Sequence, residues 1–392
     1  MYDRIDAVTF KISEYCNLDC VYCFQKYDTK TRYDGFTDFN QLVQFLRKMP
    51  LGDTLEFKVT GGESSLHCDK IRSAYRKLKK LERYKNVNVE FTTISNGTNI
   101  DGLTELWNDG ILNPWGCKIS WDGVYSASKS RKVKNNSYDD EYFKDIIRKL
   151  GKSDYRDKVL VRTALTPDTV DELYQAYRFA IDNGCTKWEY YLLSDCDEYK
   201  DPKFIERLRP QLYHIYNDSK DFPESIVANL DSMAYVHTDL SDATKLRCVS
   251  CRHLGHFLHI DIHGNIYPCG YFSDDSYYDD QTLSIGDIYS GLDKYKLEKF
   301  CDEYNNLPMC SIQDGCECLH CFECPAISHL YYNNMQYKLG QQCKIRHLEL
   351  DLYRELFSDY TFDMSRIQRN FNVYNELEYH KCGLCESLPF KE

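Results

Sequence analysis

An alternation of two patterns limits the fold of this chain most. Apolar, β-branched-rich runs at 7–13, 55–60, 87–94, 117–121, 158–165 and 187–193 are each followed by a helix-like stretch, at 38–49, 69–84, 101–108, 140–149, 169–183 and 202–217. Several of these stretches open on Asp or Thr, whose side chains can cap the first free N–H groups of a helix. Parallel strands cannot be joined by a tight turn and need a crossover, usually a helix. Six strand–helix units therefore predict an α/β fold, a parallel sheet with helices outside it. In a closed or nearly closed sheet of this kind, chemistry gathers at the C-terminal ends of the strands.

After about residue 220 the periodicity weakens and cysteines crowd in, from Cys248 to Cys343. Apolar runs at 257–262 and 265–267 flank His263-Gly264 and read as a short hairpin. A helix-like stretch follows at 344–357, and a polar, aromatic tail ends in Cys382-x2-Cys385. The expected architecture is a partial (β/α)6 TIM-like barrel with a cysteine-rich C-terminal extension. Its divisions fall at 1–220, 221–350 and 351–392. No internal repeat is evident.

Hydrophobic residues make up 42% of the 392 and charged residues 28%, enough apolar mass for a packed core and too little charge for global disorder. No apolar run approaches bilayer length, and the N-terminus lacks a signal-peptide pattern, so the expected location is the cytoplasm. In that compartment 19 cysteines read as metal ligands rather than disulfides. The net charge of −12 argues against nucleic acid as the main partner, and no membrane partner is expected. The 33 tyrosines read as composition bias.

Directly after the first apolar run comes Cys16-Asn-Leu-Asp-Cys20-Val-Tyr-Cys23, a C-x3-C-x2-C pattern. Three thiolates on one short loop can hold three irons of a [4Fe–4S] cube and leave the fourth open to a ligand. A zinc site or three buried thiols would use the same residues. The second run ends in Gly61-Gly62-Glu63-Ser64, where glycine lets backbone approach a ligand and Glu63 can accept bonds from an ammonium. The third ends in Ser95-Asn96-Gly97 and the fourth in Ser120-Trp121-Asp122-Gly123. Arg162, on the fifth, carries a guanidinium suited to a carboxylate.

Taken in order, these motifs resemble the radical S-adenosylmethionine (SAM) superfamily, whose signature is the cysteine triplet. The resemblance implies that Cys16, Cys20 and Cys23 ligate a [4Fe–4S] cluster whose open iron chelates SAM. An electron from the cluster then cleaves SAM to methionine and a 5′-deoxyadenosyl radical that abstracts hydrogen from substrate. It implies SAM contacts at Gly61, Gly62, Glu63, Ser120, Asp122 and Arg162, with Tyr22 near the adenine. It also implies an electron donor such as flavodoxin or ferredoxin. Ser64 replaces the proline that often follows Glu in the family.

The second half resembles the SPASM extension of radical SAM peptide-modifying enzymes, which carries a G-x4-C hairpin and holds two auxiliary [4Fe–4S] clusters. Gly264–Cys269 fits that hairpin. The run Cys310, Cys316, Cys318, Cys321 and Cys324 departs from the family's spacing. The assignment implied gives Cys248, Cys251, Cys269 and Cys324 to the first cluster, and Cys343 with three of Cys310, Cys316, Cys318 and Cys321 to the second. A zinc-binding or disulfide knot would use the same residues. Cys68, Cys117, Cys185, Cys196 and Cys301 read as core cysteines, and Cys382 and Cys385 as idle or structural.

By resemblance the substrate is a peptide or protein. The leading reading is an oxidoreductase-type maturase that installs a thioether or carbon–carbon crosslink in a ribosomally made peptide. Only about six residues precede the first strand, so leader recognition would need another surface or a separate leader-binding protein. The alternative is an anaerobic sulfatase-maturating enzyme that generates formylglycine. That family places an Asp base after the G-x4-C cysteine, where this chain has Gly270. An iron–sulfur redox or sensor protein without SAM turnover is the reading from another class. The unaligned sequence singles out no catalytic base.

Overall fold

The computed structural model describes residues 4–23, 25, 38–133, 138–193, 196–222, 225–239, 256–273, 283–305, 325–332, 340 and 342–362. Six parallel strands lie side by side in chain order: β1 (Ile5–Ser13), β3 (Leu51–Gly61), β4 (Asn88–Ser95), β5 (Lys118–Ser120), β7 (Leu160–Leu165) and β8 (Lys187–Leu192). The short β9 (Ile226–Val227) extends the sheet beyond β8. Two further strands, β2 (Leu18–Cys20) and β6 (Arg131–Val133), pair with each other in a separate ribbon. Every expected strand is present, and β3 starts four residues early.

Helices α1 (Phe39–Arg47), α2 (Cys68–Leu78), α3 (Lys80–Lys85), α4 (Ile100–Asn108), α5 (Ser126–Lys129), α6 (Asp140–Lys152), α7 (Leu173–Asp182), α8 (Pro202–Asp221) and α9 (Ala228–Asp239) fill the crossovers and the stretch after β8. Their starts obey the capping rule: Asp38, Asn99, Asp139 and Asp201 each accept a backbone N–H from the first turn. The single helix expected over 69–84 is divided, and Asn86 closes α3 in the left-handed conformation.

Strand alternation sorts the side chains. Phe10, Phe57 and Phe91 sit on neighbouring strands, and their rings pack edge-on or tilted, with Phe39 of α1 against Phe10. This apolar layer lies between sheet and helices. The opposite, inner face is polar: Thr9, Lys11, Lys58, Thr92, Lys118, Arg162 and Glu189 take the alternate positions. The result is the open (β/α)6 arrangement with a polar lumen.

The expected hairpin forms as β10 (Phe257–Ile260) and β11 (Asn265–Tyr267), with His259 opposite Tyr267. It does not stand apart, however. β10 also pairs in parallel with β1, so the sheet continues through it to β12 (Gly286–Asp287) and β13 (Gly291–Leu292). The remaining helices are α10 (Lys294–Asn305), α11 (Pro325–Tyr332) and α12 (Cys343–Phe357). Helix α12 is fastened to the barrel by a buried polar knot. Glu349 accepts from Tyr190 of β8 and from Arg346, and Tyr190 pairs with Tyr216 of α8 at 3.2 Å. Among the described residues no helix is long and apolar enough to cross a membrane.

Candidate active site

The cysteine loop starts where β1 ends, and two pieces of backbone hold it. Its central strand β2 runs antiparallel to β6, with Cys20 opposite Arg131. The end of β3 is stapled to its start: Gly62 N–H donates to the Ser13 carbonyl at 2.9 Å and Glu63 N–H to that of Tyr15 at 2.8 Å. Glycine is required there. A Cβ at Gly61, whose φ is +134°, would lie 2.0 Å from the Ser13 oxygen, and one at Gly62 would lie 2.3 Å from the Tyr15 oxygen. The Gly-Gly pair thus serves close backbone approach between β3 and the cysteine loop.

Glu63 is nearly fully buried. Its Oε1 accepts from Ser65 N–H at 2.9 Å and Ser95 Oγ at 2.6 Å, and its Oε2 from Asn96 N–H at 2.6 Å. A carboxylate has about four acceptor positions, so roughly one remains for a ligand's cation. The Ser95-Asn96-Gly97 turn, with Gly97 at φ +77°, continues the network. Asn96 Nδ2 donates to Asn17 Oδ1 at 2.9 Å and reaches Cys16 Sγ at 4.0 Å. Cys16 Sγ also receives the Leu18 N–H at 3.4 Å.

Cys16, Cys20 and Cys23 are all half-buried and lie near enough to influence one another. Burial pushes the Cys20 thiol up to about 12 against the pull of Arg131, with Asp122, Cys23 and Cys16 adding to the rise. Bound iron would have to stabilise the thiolate. Among the described residues no three His, Cys, Asp or Glu side chains converge as a cage for a single ion. Cys16 and Cys23 lie on either side of the short strand β2, which ends at Cys20.

Opposite the cysteine loop stand the ends of β5, β7 and β8. Asp122 is buried; its Oδ2 accepts from the Tyr22 hydroxyl at 2.5 Å and its Oδ1 from Ala164 N–H at 3.2 Å. Burial raises its pKa, opposed by Arg131 and the Tyr22 hydrogen bond. Tyr22 faces Tyr191 at 6.4 Å between centroids, with Arg162 over the Tyr191 ring at 4.7 Å. The chain itself supplies Arg162 with a carboxylate, Glu189, which Lys118 also meets at 2.9 Å. Burial works to raise the Glu189 pKa, yet Arg162 and Lys118 hold it down to about 2. Ser120 gives its carbonyl to Arg131.

Arg131 is the site residue that motif reading missed. It is fully buried, donates to the Ser120 and Asn96 carbonyls, and has the titratable groups of Tyr22, Cys20, Asp122 and Glu63 as neighbours. No local pattern marks it, because its role depends on β6 folding back onto β2. Tyr191 and Asn17 were missed for the same reason.

Of the second cysteine group, Cys269 ends the segment after β11 and Cys343 opens α12. Cys248, Cys251, Cys310, Cys316, Cys318, Cys321 and Cys324 lie outside the described residues, as do Cys382 and Cys385. Cys117, Cys185, Cys196 and Cys301 are buried in the core as expected, and Cys68 is half-buried against it.

Residues 10–180 match the profile of the radical SAM superfamily. This segment is a radical SAM domain. It contains the cysteine triplet, the Gly-Gly-Glu end of β3, both later turns and Arg162. The chain as a whole also resembles solved structures. Native anSMEcpe with bound AdoMet is 16% identical, with a TM-score of 0.60 over 94% of this chain and 100% of that one. Native anSMEcpe with bound AdoMet and the Cp18Cys peptide is 17% identical, with a TM-score of 0.58 over 94% and 100%. At such identity the likeness establishes the fold, which continues through the cysteine-rich half. No curated protein gives a significant match.

Proposed function

We propose that this chain is a radical SAM enzyme of the SPASM type that modifies a peptide, installing a thioether or carbon–carbon crosslink. One observation carries the reading. The cysteine loop, the Gly-Gly-Glu turn and the Ser-x-Asp-Gly turn meet through direct hydrogen bonds at the C-terminal ends of the strands. A [4Fe–4S] cluster on Cys16, Cys20 and Cys23 would supply the electron that cleaves SAM and so begins hydrogen abstraction.

The chain's own residues bind, orient and shield. Gly61 and Gly62 let the end of β3 close onto the start of the cysteine loop. Glu63 keeps one acceptor position for an ammonium while its other bonds hold the turn after β4. Tyr22, locked onto Asp122, presents its ring toward the lumen, and Tyr191 covers the other side. Arg162, paired with Glu189, is the guanidinium proposed to lie beside a ligand carboxylate. Burial pushes the Tyr22 and Tyr191 hydroxyls further up, so both stay protonated.

Auxiliary clusters on the second cysteine group, an electron donor such as flavodoxin or ferredoxin, and a separate leader-binding protein complete the proposal. A formylglycine-generating activity ranks second, supported by the fold but lacking a carboxylate at Gly270. The test is anaerobic reconstitution with SAM and dithionite. The wild type is expected to form 5′-deoxyadenosine, and the Cys16→Ala/Cys20→Ala/Cys23→Ala variant to form none while retaining auxiliary iron. SAM cleavage by that triple variant would overturn the site assignment. Intact clusters without cleavage in the wild type would favour a redox or sensor protein.

A further inference from the structure

β6 pairs with β2 so that Arg131 stands directly opposite Cys20. Residues facing each other across an antiparallel pair project to the same side, with Cβ atoms about 5 Å apart. Arg131 is 1% exposed, so its charge sits in protein rather than in water. A buried charge is costly unless an opposite charge meets it. Yet the hydrogen bonds of this guanidinium go to neutral carbonyls, those of Ser120 and Asn96, and its Nε–H has no acceptor. The ring of Phe143 lies against it at 5.2 Å. Among the described residues no carboxylate binds it directly. Asp122 and Glu63 act on it from a distance, and their oxygens are engaged by Tyr22, Ala164, Ser65, Ser95 and Asn96.

Two carbonyls need two donors, and a neutral amide side chain also has two. The positive charge therefore calls for a reason of its own, and the signs of the surrounding groups supply it. Among the groups acting on Cys20, Arg131 favours negative charge, whereas Asp122, Cys23 and Cys16 oppose it. The loop thus gathers three thiols and a carboxylate around one fixed cation. An iron–sulfur cluster on three thiolates is anionic, and reduction adds one further negative charge. Net charge, hydrogen bonds to the sulfurs and exposure set the potential at which that electron enters. A cation held in protein acts more strongly than one in water and is screened little by salt. The orphaned Nε–H and the buried charge without an ion pair both fit an anionic group held by this loop.

We propose that the buried guanidinium of Arg131 is the fixed counter-charge that stabilises the reduced form of the cluster on Cys16, Cys20 and Cys23. One electron enters the cluster, the guanidinium stays protonated, and no proton moves. The proposal rests on the assignment of those three cysteines and adds what poises their cluster. It is tested by EPR-monitored redox titration of the full-length reconstituted protein without SAM, with dithionite as reductant. The relevant signal is the one absent from the Cys16→Ala/Cys20→Ala/Cys23→Ala variant. Arg131→Gln keeps two N–H donors and removes the charge. Its ratio of reduced to oxidised cluster at a given potential is expected to fall about tenfold, which is about 59 mV for one electron. Arg131→Lys keeps the charge and loses the planar fork, and is expected to stay within about threefold of the wild type. The auxiliary signals are expected to keep their potentials in both variants.

A merely structural role predicts that Lys disturbs the potential as much as Gln, or more. That order, an unchanged potential in Arg131→Gln, or an equal shift of every cluster would each overturn the counter-charge. Where neither variant loads iron, pulsed EPR decides on reduced Arg162→Lys protein carrying [15N]arginine. Nitrogen couplings to the cluster of the triplet support the proposal, and their absence overturns it. The cysteine assignment fails in a different way. A triple variant that keeps every signal removes that assignment and the counter-charge with it, whereas an unmoved potential removes the counter-charge alone.

Discussion

The barrel half and the cysteine-rich half share one sheet yet are held by different means. In the barrel, β1 and β3 run for 9 and 11 residues and bury an aromatic layer against α1, α2 and α4. The strands beyond β10 shrink to 3, 2 and 2 residues. A two-residue strand forms too few ladder bonds to order itself. The barrel thus positions its cysteine loop with its own packing and backbone bonds, whereas Cys269, of the second group, comes just after one of these short strands. The same ligand chemistry would fill a prepared site in one half and help build the site in the other.

Stripping the metal gives the largest expected contrast. In chelator-treated protein, amide exchange in β11, β12 and β13 is expected to accelerate by orders of magnitude, while β3 and β4 keep their protection. Hydrogen exchange read by mass spectrometry decides this. Equal acceleration in both halves would break the comparison.

Arg131→Met sharpens it from the barrel side. The change removes a cation whose charge acts on buried Asp122, together with the donor to the Ser120 and Asn96 carbonyls. Metal-free protein is expected to lose about 3–5 kcal/mol in urea unfolding. No loss would mean that the cysteine loop is not held by protein contacts alone.

Acid separates the halves next. The depressed pKa of Glu189 means that its ion pairs stabilise fully above its unfolded value of about 4.5 and fade as pH falls toward 2. The contribution is on the order of 3 kcal/mol. Wild type is expected to lose that much more stability than Glu189→Gln between pH 5 and 2, as followed by tryptophan fluorescence of the metal-free protein. Parallel curves would remove the charged lumen from the account.

The smallest effect belongs to Tyr22→Phe, which deletes one hydrogen bond to Asp122. A loss of about 1 kcal/mol in stability is expected, with weaker SAM binding by calorimetry. Unchanged affinity would place Tyr22 outside the cosubstrate site.

Local patterns made much of this legible. Apolar, β-branched-rich runs marked all six barrel strands, because such residues suit strands packed under helices. The triplet, the Gly-Gly-Glu turn and the Ser-x-Asp-Gly turn were visible because each is contiguous at a strand end. Arg131, Asn17 and Tyr191 were not, because their roles follow from pairings with residues far along the chain. The hairpin at His263-Gly264 was readable as a hairpin, but its edge partner β1 was not, because pairing between strands some 250 residues apart leaves no trace in either segment.

The amino-acid order by itself determined the alternation, the helix caps and the cysteines available to a cluster, since these depend on neighbours within a few positions. Only the tertiary structure decided that Arg131 stands beside Cys20, that Glu189 claims Arg162, and that His259 meets Thr9 inside the barrel. Those outcomes depend on strand register and burial, which place distant side chains together and determine which charges and hydrogen bonds are satisfied.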